Sequence, residues 1–383
     1  MNVLHLVSNW KWTERAEPAA DLALAQDRLN AGVTFVGGRN PDKLEDSVEF
    51  RASQKGLATI GLEMTKHFRL GPALRDMKAL RRIFRERGIG VVHAHMPNAH
   101  LLGAWAARRT APPVGVIRSC YEPDGPEPGL RSRVLYRRFC SGVVVISPKA
   151  RSRFVEGLGM EPDRVEVIEP GIDLRRFSSR DRRPADRAGF GLAPEHFVIG
   201  IVSRIRKSRR IDLAVGALAS LAARHPHVRL LVVGRGQEGA VREEVEAPAE
   251  RLGIRDRVVL AGYCRDDRLV EAYRAMDVLV YPIPGTDASC RTVREAMAAG
   301  VPVVASSTGF LPELVQDGMT GRLVAPRVES FVAALEDLVR APDSRSAMAQ
   351  AAFDAAQRRF SPELQARRTL DFYERTVPGR ACR

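Results

Sequence analysis

The chain has 383 residues, 45% hydrophobic and 28% charged, with 60 Lys and Arg against 46 Asp and Glu and a net charge of +14. This is the composition of an ordinary soluble globular protein long enough for two domains. The five cysteines, Cys120, Cys140, Cys264, Cys290 and Cys382, are too scattered for a disulfide framework or a structural zinc. No apolar run approaches the ~20 residues of a spanning helix, and MNVLHLVSNW at the start reads as a strand, not a leader; a cytoplasmic protein is expected.

Six apolar runs in the first half predict strands: NVLHLVS (2–8), GVTFVGG (32–38), GVVHAH (90–95), VGVIRS (114–119), GVVVIS (142–147) and VEVIEPG (165–171). Six more follow: FVIGIVS (197–203), RLLVVG (229–234), VVLAG (258–262), DVLVYP (277–282), VPVVAS (301–306) and GRLVAP (321–326). Helical patterns separate most of them, as at 73–88, 211–224 and 265–275. Such alternation predicts an α/β protein with parallel, doubly wound sheets covered on both faces. The polar, strand-free segment SSRDRRPADRAGF (178–190) marks the boundary, giving domains 1–185 and 186–360. A capped helix, with Ser361 as N-cap and Pro362 at its first position, is predicted over 361–377 and could close either domain.

Ligands of open α/β sheets bind beyond the carboxyl ends of the strands. Two such domains facing each other would line a cleft with those loops. After DVLVYP comes DASCRTVREAMAAG (287–300), a small-residue turn that starts a helix. Free N–H groups around Ser289, Cys290, Arg291 and Thr292 suit phosphate, and the Thr292 hydroxyl adds a donor. Glu295 could accept from the vicinal hydroxyls of a ribose, and Asp287 from a second sugar; alternatively, they are a first-turn acid and a turn residue. In IVSRIRKSRR (201–210), Arg204, Lys207 and Arg209 could clamp a diphosphate or form a solvated basic loop. VVGRGQEG carries Gly234, Gly236 and Gly239 in a G-x-G-x-x-G pattern, but on the second strand of its domain and without the acid ~20 residues on that a dinucleotide site needs. It reads as a strand-end turn, with an NAD enzyme the weaker alternative. HAHMPNAH places His93, His95 and His100 at a strand end with no carboxylate cluster. No metal is expected there; His95 is read as a ligand contact, and the other two as core or loop residues.

Residues 51–155 hold 20 Lys and Arg but only 6 Asp and Glu. That local field suits phosphate ligands, anionic lipid or nucleic acid, or is simply a solvated surface. Within it, Arg75, Lys78, Arg82 and Arg85 share a helix face beside Leu74, Met77, Leu80 and Phe84. No nucleic-acid-binding motif accompanies the charge, so no nucleic-acid partner is expected.

Taken in series, RLLVVGRG, VVLAGY, YRAMDVLVYP, REAMAAGVPVVAS, TGFLPELVQDGMTGRLV and FYERT resemble the retaining GT-B glycosyltransferases of family 4 over nearly the whole chain. The resemblance implies two Rossmann-like domains, with the C-terminal helix (361–383 with its tail) crossing back to the first. It implies Glu295 on the donor ribose, Asp287 on the transferred sugar, Arg204 and Arg209 (or Lys207) on the diphosphate, and Gly262 and Tyr263 near the base, with Gly234 lining the same cleft. The implied reaction is metal-independent transfer from a nucleotide-diphosphate sugar to a glycan or glycolipid hydroxyl, with no cofactor. His95, Trp12 and Ser119 fall on the acceptor side; Ser119 stands near the position of the family's histidine, and Trp10 and Trp12 replace its glycine-rich loop and could stack a sugar or pack. Peripheral contact of the basic first domain with an anionic inner membrane face is also expected. The rival reading is a non-catalytic sugar-nucleotide-binding partner of an active transferase.

Overall fold

The computed structural model describes residues 1–13, 15–39, 45, 47–65, 69–177, 186–285 and 287–377, without the side chains of 287–289. Chain contacts divide it into Met1–Ile172 with Phe360–Arg383 and the short Asp287–Ser289 stretch, and Asp173–Thr286 with Cys290–Arg359. The segment expected as boundary lies outside the described residues over 178–185.

The first unit holds β1 (Asn2–Leu6), β2 (Gly32–Gly38), β3 (Thr59–Leu62), β4 (Val91–Ala94), β5 (Gly115–Cys120), β6 (Gly142–Val145) and β7 (Val165–Val167). They form one parallel sheet in the order β3-β2-β1-β4-β5-β6-β7. Six strands were expected here, and β3 is the addition. Its four residues, TIGL, are all half-buried at the sheet edge, too short and too mixed to announce themselves. Side chains alternate across the sheet. Val3, Val91, Ile117 and Val144 point to one face, where they pack with Phe372 and Tyr373. α1 (Ala16–Arg28) lies beside the C-terminal helix, Pro362–Thr376. Chain order and right-handed crossovers put α3 (Leu70–Glu86), α4 (Pro97–Ala107) and α5 (Leu130–Phe139) on the opposite face. α2 (Val48–Gln54) packs on β2 and β3.

The C-terminal helix belongs to the first unit although it is separated from it in sequence by the whole of the second. Ser361 caps it by accepting from the Leu364 N–H at 3.2 Å, with Pro362 at the start, as the sequence predicts. Gly142 makes room for it: a Cβ there would lie 2.7 Å from the Phe372 ring. Burying an aromatic ring of this kind contributes about 3 kcal/mol or more.

The second unit holds β8 (Phe197–Val202), β9 (Val228–Val233), β10 (Val258–Gly262), β11 (Val278–Tyr281), β12 (Val303–Ser306) and β13 (Gly321–Val324). The order is β10-β9-β8-β11-β12-β13, all parallel. Its core joins Ile199, Ile201, Leu230, Val232, Val280 and Val304 to the helices Ile211–Ala222 and Val328–Arg340. The chain steps from β8 outward to β10, then returns to β8's other side as β11. The loops after β8 and β11 therefore leave in opposite directions and open a crevice at the strand ends.

Candidate functional site

Arg204 follows β8 at that switch point and is exposed. Its backbone is held on both sides. The Ser203 N–H donates to the Val233 carbonyl at 3.0 Å, and the Ile205 N–H to the Arg235 carbonyl at 2.9 Å. Gly234 permits this close pairing: at φ +149° a Cβ would collide with the Ser203 carbonyl oxygen. The glycine pattern of VVGRGQEG thus has a packing cause that needs no dinucleotide. Lys207–Arg209 forms a single 3-10 turn, in which Lys207 is exposed and Arg209 is buried. Arg210 adopts φ +51° and pairs with Asp212 at 3.0 Å.

Across the crevice, the helix Asp287–Ala298 begins after β11. The side chains of Asp287 and Ser289 lie outside the description. Cys290 is fully buried with φ +58°, a region that favours glycine. Its sulfur is packed so closely under Gly285 that a Cβ at 285 would lie 2.7 Å from it. Thr292 is half-buried.

Glu295, read from the sequence as an open hydroxyl acceptor, is 4% exposed and already engaged through both oxygens. Arg291 Nε donates to Oε1 at 2.7 Å, one helical turn away, and the Tyr273 hydroxyl donates to Oε2 at 2.8 Å. Each carboxylate oxygen keeps a second acceptor position, so a ligand hydroxyl can add to this arrangement without displacing it. Burial first, and then the Glu295 charge, push the Tyr273 hydroxyl well above its ordinary pKa, so it stays a donor. Sequence reading missed Tyr273, whose tie to Glu295 comes from strand order; the four-residue spacing of Arg291 and Glu295 was there to be read.

Beyond β10, Gly262 adopts φ +68° and accepts from the Gly234 N–H at 2.8 Å, while Tyr263 is 53% exposed. The guanidinium carbons of Arg235 and Arg265 lie 4.6 and 4.8 Å from the Tyr263 ring centre. The cationic flanks of Tyr263 at the ends of β9 and β10 were not foreseen, since Arg235 comes from a different strand end. The second unit therefore collects Arg204, Gly234, Gly262, Tyr263 and the helix carrying Thr292 and Glu295 at one edge of its sheet.

The acceptor-side residues of the first unit behave differently. His95 and Ser119 are both buried, inside one hydrogen-bonded chain. His93 and His95 share a sheet face, because residues i and i+2 do, and their rings stack at 4.4 Å. His5 on β1 joins them. His5 Nδ1 meets His95 Nε2 at 2.9 Å, and His5 Nε2 meets Gln26 Oε1 at 2.9 Å. Gln26 Nε2 donates to the Tyr373 hydroxyl at 3.2 Å, which bonds His93 Nδ1. His93 Nε2 reaches Ser119 Oγ at 2.7 Å, and His95 Nδ1 the Tyr121 hydroxyl at 2.9 Å. One proton arrangement satisfies every member. Gln26 Oε1 only accepts, so His5 carries its proton on Nε2; His95 then donates to His5 from Nε2, and Tyr121 donates to His95. On the other branch Gln26 donates to Tyr373, Tyr373 to His93, and His93 to Ser119.

All three histidines are neutral in that arrangement. Burial lowers His5 to about 4 against the favourable bond to Gln26, and holds His93 and His95 well below the ordinary value, with neighbouring charge from the cluster and Arg118 adding to the effect. Their candidate ligand nitrogens lie within 4.8 Å of one another. A metal there would have to break hydrogen bonds at all three rings, since all six ring nitrogens are occupied. His100 is buried under Tyr136 on the opposite sheet face, with ring centres 5.3 Å apart. Trp12 is half-buried and packs against the first core, while Trp10 carries the Lys11 ammonium 5.1 Å from its ring centre.

Known proteins share this organisation. The model of glycosyl transferases group 1 matches residues 182–355, and that of Glycosyltransferase Family 4 matches residues 19–176. A D-inositol 3-phosphate glycosyltransferase of Rhodococcus jostii is 33% identical over 301 residues, 74% of this chain and 66% of the relative. The enzyme of the same name from Segniliparus rotundus is 36% identical over 225 residues, 58% and 49% of the two chains. This chain thus spans about half to two thirds of those relatives' length. The Anabaena protein Alr3699/HepE, solved in complex with UDP, shares the fold with a TM-score of 0.80 at 20% identity, covering 97% of this chain and 99% of its own.

Proposed function

Because this chain belongs to the group 1, family 4 glycosyltransferases of GT-B fold, we propose that it moves a sugar from a nucleoside diphosphate sugar to an acceptor hydroxyl, with retention and without a metal. The observation that carries this reading is the placement of Arg204, exposed and backbone-pinned, at the switch point opposite the helix that bears Thr292 and Glu295. The chemistry must stabilise a departing diphosphate. Arg204, Lys207 or Arg209, and the positive end of that helix's dipole supply fixed positive charge where the negative charge develops. Glu295, oriented by Arg291 and Tyr273, receives the ribose hydroxyls, and the Arg235–Tyr263–Arg265 platform receives the base. Asp287 binds the transferred sugar. The acceptor attacks on the face the diphosphate leaves, and its proton passes to the leaving phosphate.

UDP is the first nucleotide to test, since a protein of the same fold binds it. The acceptor is a hydroxyl of a cell-envelope glycan, lipopolysaccharide or glycolipid, reached by peripheral contact of the basic first unit with an anionic membrane face. The relatives' name adds an inositol phosphate to the acceptor panel. The second reading, a non-catalytic sugar-nucleotide-binding partner, is favoured by Ser119, which stands at the family's histidine position and is bonded inward to His93. A thermal-shift panel of UDP, GDP, ADP and their sugars, followed by product detection with the nucleotide that shifts, separates the two. A shift with turnover supports transfer. A shift without turnover on any acceptor supports the partner reading, and no shift removes both.

A further inference from the structure

Among the described residues ten large hydrophobic side chains are conspicuously exposed, and five of them lie on the three neighbouring helices of one sheet face in the first unit. Leu70 and Leu74 on α3 are 64% and 55% exposed, Trp105 on α4 37%, and Leu130 and Val134 on α5 79% and 46%. These helices, with the two residues that follow α4, carry eleven Lys and Arg and two acids. Of the acids, Asp76 is buried and accepts from the N–H groups of Glu63 and Met64, and Glu86 pairs with Arg82 at 2.7 Å. The outward face is therefore both greasy and cationic.

α5 shows the pattern most clearly. Leu130, Arg133, Val134, Arg137 and Arg138 recur at spacings of three, four, seven and eight, so they share one exposed stripe, and the helix contains no acid. Its one buried residue is Tyr136. Two hollows flank it. One, of about 440 Å³, runs along this stripe to Arg164; the other, of about 600 Å³, joins all three helices through Leu74, Arg81, Trp105, Arg108 and Phe139. The Arg108 guanidinium covers the Phe139 ring at 4.6 Å. The two hollows make the face continuous rather than a set of separate side chains.

We propose that the outward face of α3, α4 and α5 docks on a lipid bilayer bearing anionic headgroups, with α5 as its leading edge. Leucine, valine and tryptophan side chains enter the boundary between headgroups and acyl chains, while arginines at the same level meet lipid phosphates. Duplex nucleic acid would use the cations but leave Leu130 and Val134 without a partner, because phosphate contacts are polar. No described helix is long and apolar enough to cross a membrane, so the contact lies along the surface. This surface gives a definite place to the membrane contact proposed above and stands or falls separately from sugar transfer.

The test is co-sedimentation of the full chain with phosphatidylcholine vesicles, with and without phosphatidylglycerol. The expected result is binding to the anionic vesicles, weakened by salt, and little binding to the neutral ones. Leu130→Glu with Val134→Glu should reduce binding about tenfold or more, as should Arg133→Glu with Arg137→Glu, whereas Leu252→Glu on the second unit should not. All these side chains are exposed, so unchanged melting and unchanged UDP-induced shift will show that the fold and nucleotide site survive. Absence of wild-type binding to anionic vesicles at low salt overturns the proposal, as does binding indifferent to the Leu130 and Val134 changes. Duplex DNA that binds and displaces the vesicles, with the same indifference, would assign the face to nucleic acid instead. A failed nucleotide shift alongside intact vesicle binding would strike the transferase reading and leave the docking face standing.

Discussion

The two units end their central strands in opposite ways. At β1, β4 and β5 the polar side chains His5, His93, His95 and Ser119 turn inward and bond to one another, to Gln26, to Tyr121 and to Tyr373, until no ring nitrogen of His5, His93 or His95 is left over. Just beyond β8, β9 and β10 stand Arg204, Arg235 and Tyr263, all three exposed. A saturated chain specifies packing, since each donor has one acceptor and any change leaves a buried group unpaired. An exposed cationic set on a pinned backbone specifies a ligand instead. Residue type alone does not separate these outcomes: histidines at strand ends are as suggestive as arginines until burial is known.

Acid should break the first region and spare the second. Unfolded histidines take up protons near 6.5, whereas His5 in the fold does so only at about 4. Between those values the unfolded chain binds more protons, so stability falls as pH falls through this window and levels off for His5 below it. His5 alone contributes about 3 kcal/mol to that loss, and His93 and His95 add to it in the same direction. Denaturation followed from pH 7 to pH 4 measures it; a flat profile would contradict the neutral network. Arg204→Ala should do the converse, lowering turnover about 100-fold with an unchanged melting temperature. Loss of melting temperature in parallel with activity would return Arg204 to a structural role.

Smaller changes sharpen the contrast. Tyr373→Phe removes one oxygen and strands both His93 Nδ1 and the Gln26 amide; a loss of about 2 kcal/mol is expected in urea unfolding, with UDP affinity untouched. Glu295→Gln keeps the shape but weakens the hold on ribose, so nucleotide affinity should fall about tenfold, or ~1.4 kcal/mol, by calorimetry. The smallest expected effect is none: chelator should leave transfer unchanged. Loss of transfer restored by one divalent cation would overturn the metal-free mechanism.

The alternation of strands and helices was legible because continuous apolar runs such as GVVVIS have one stable use, inside a sheet covered on both faces. β3 was not, being four half-buried residues whose place depends on β2 beside it. The helix start at Ser361 and Pro362 was legible because capping is local. Glu295 could be located, and its i−4 partner Arg291 was in view, but Tyr273 was not, since it reaches Glu295 only through tertiary packing. His95, expected at a ligand, is buried instead for the same reason: the burial of its cluster is set by α1 and by a helix more than 260 residues further on, which no window along the chain contains.

That distant helix also bears on how the protein is made. A ribosome delivers β1 to β7 early, but Phe372 and Tyr373 emerge only after the entire second unit has been synthesised. Until then Val3, Ile117 and Val144 lack the cover of Phe372 and Tyr373, and the histidine chain lacks its bridging hydroxyl. The core of the first unit is therefore completed only after the second has been translated, which makes synthesis order part of how this fold is reached.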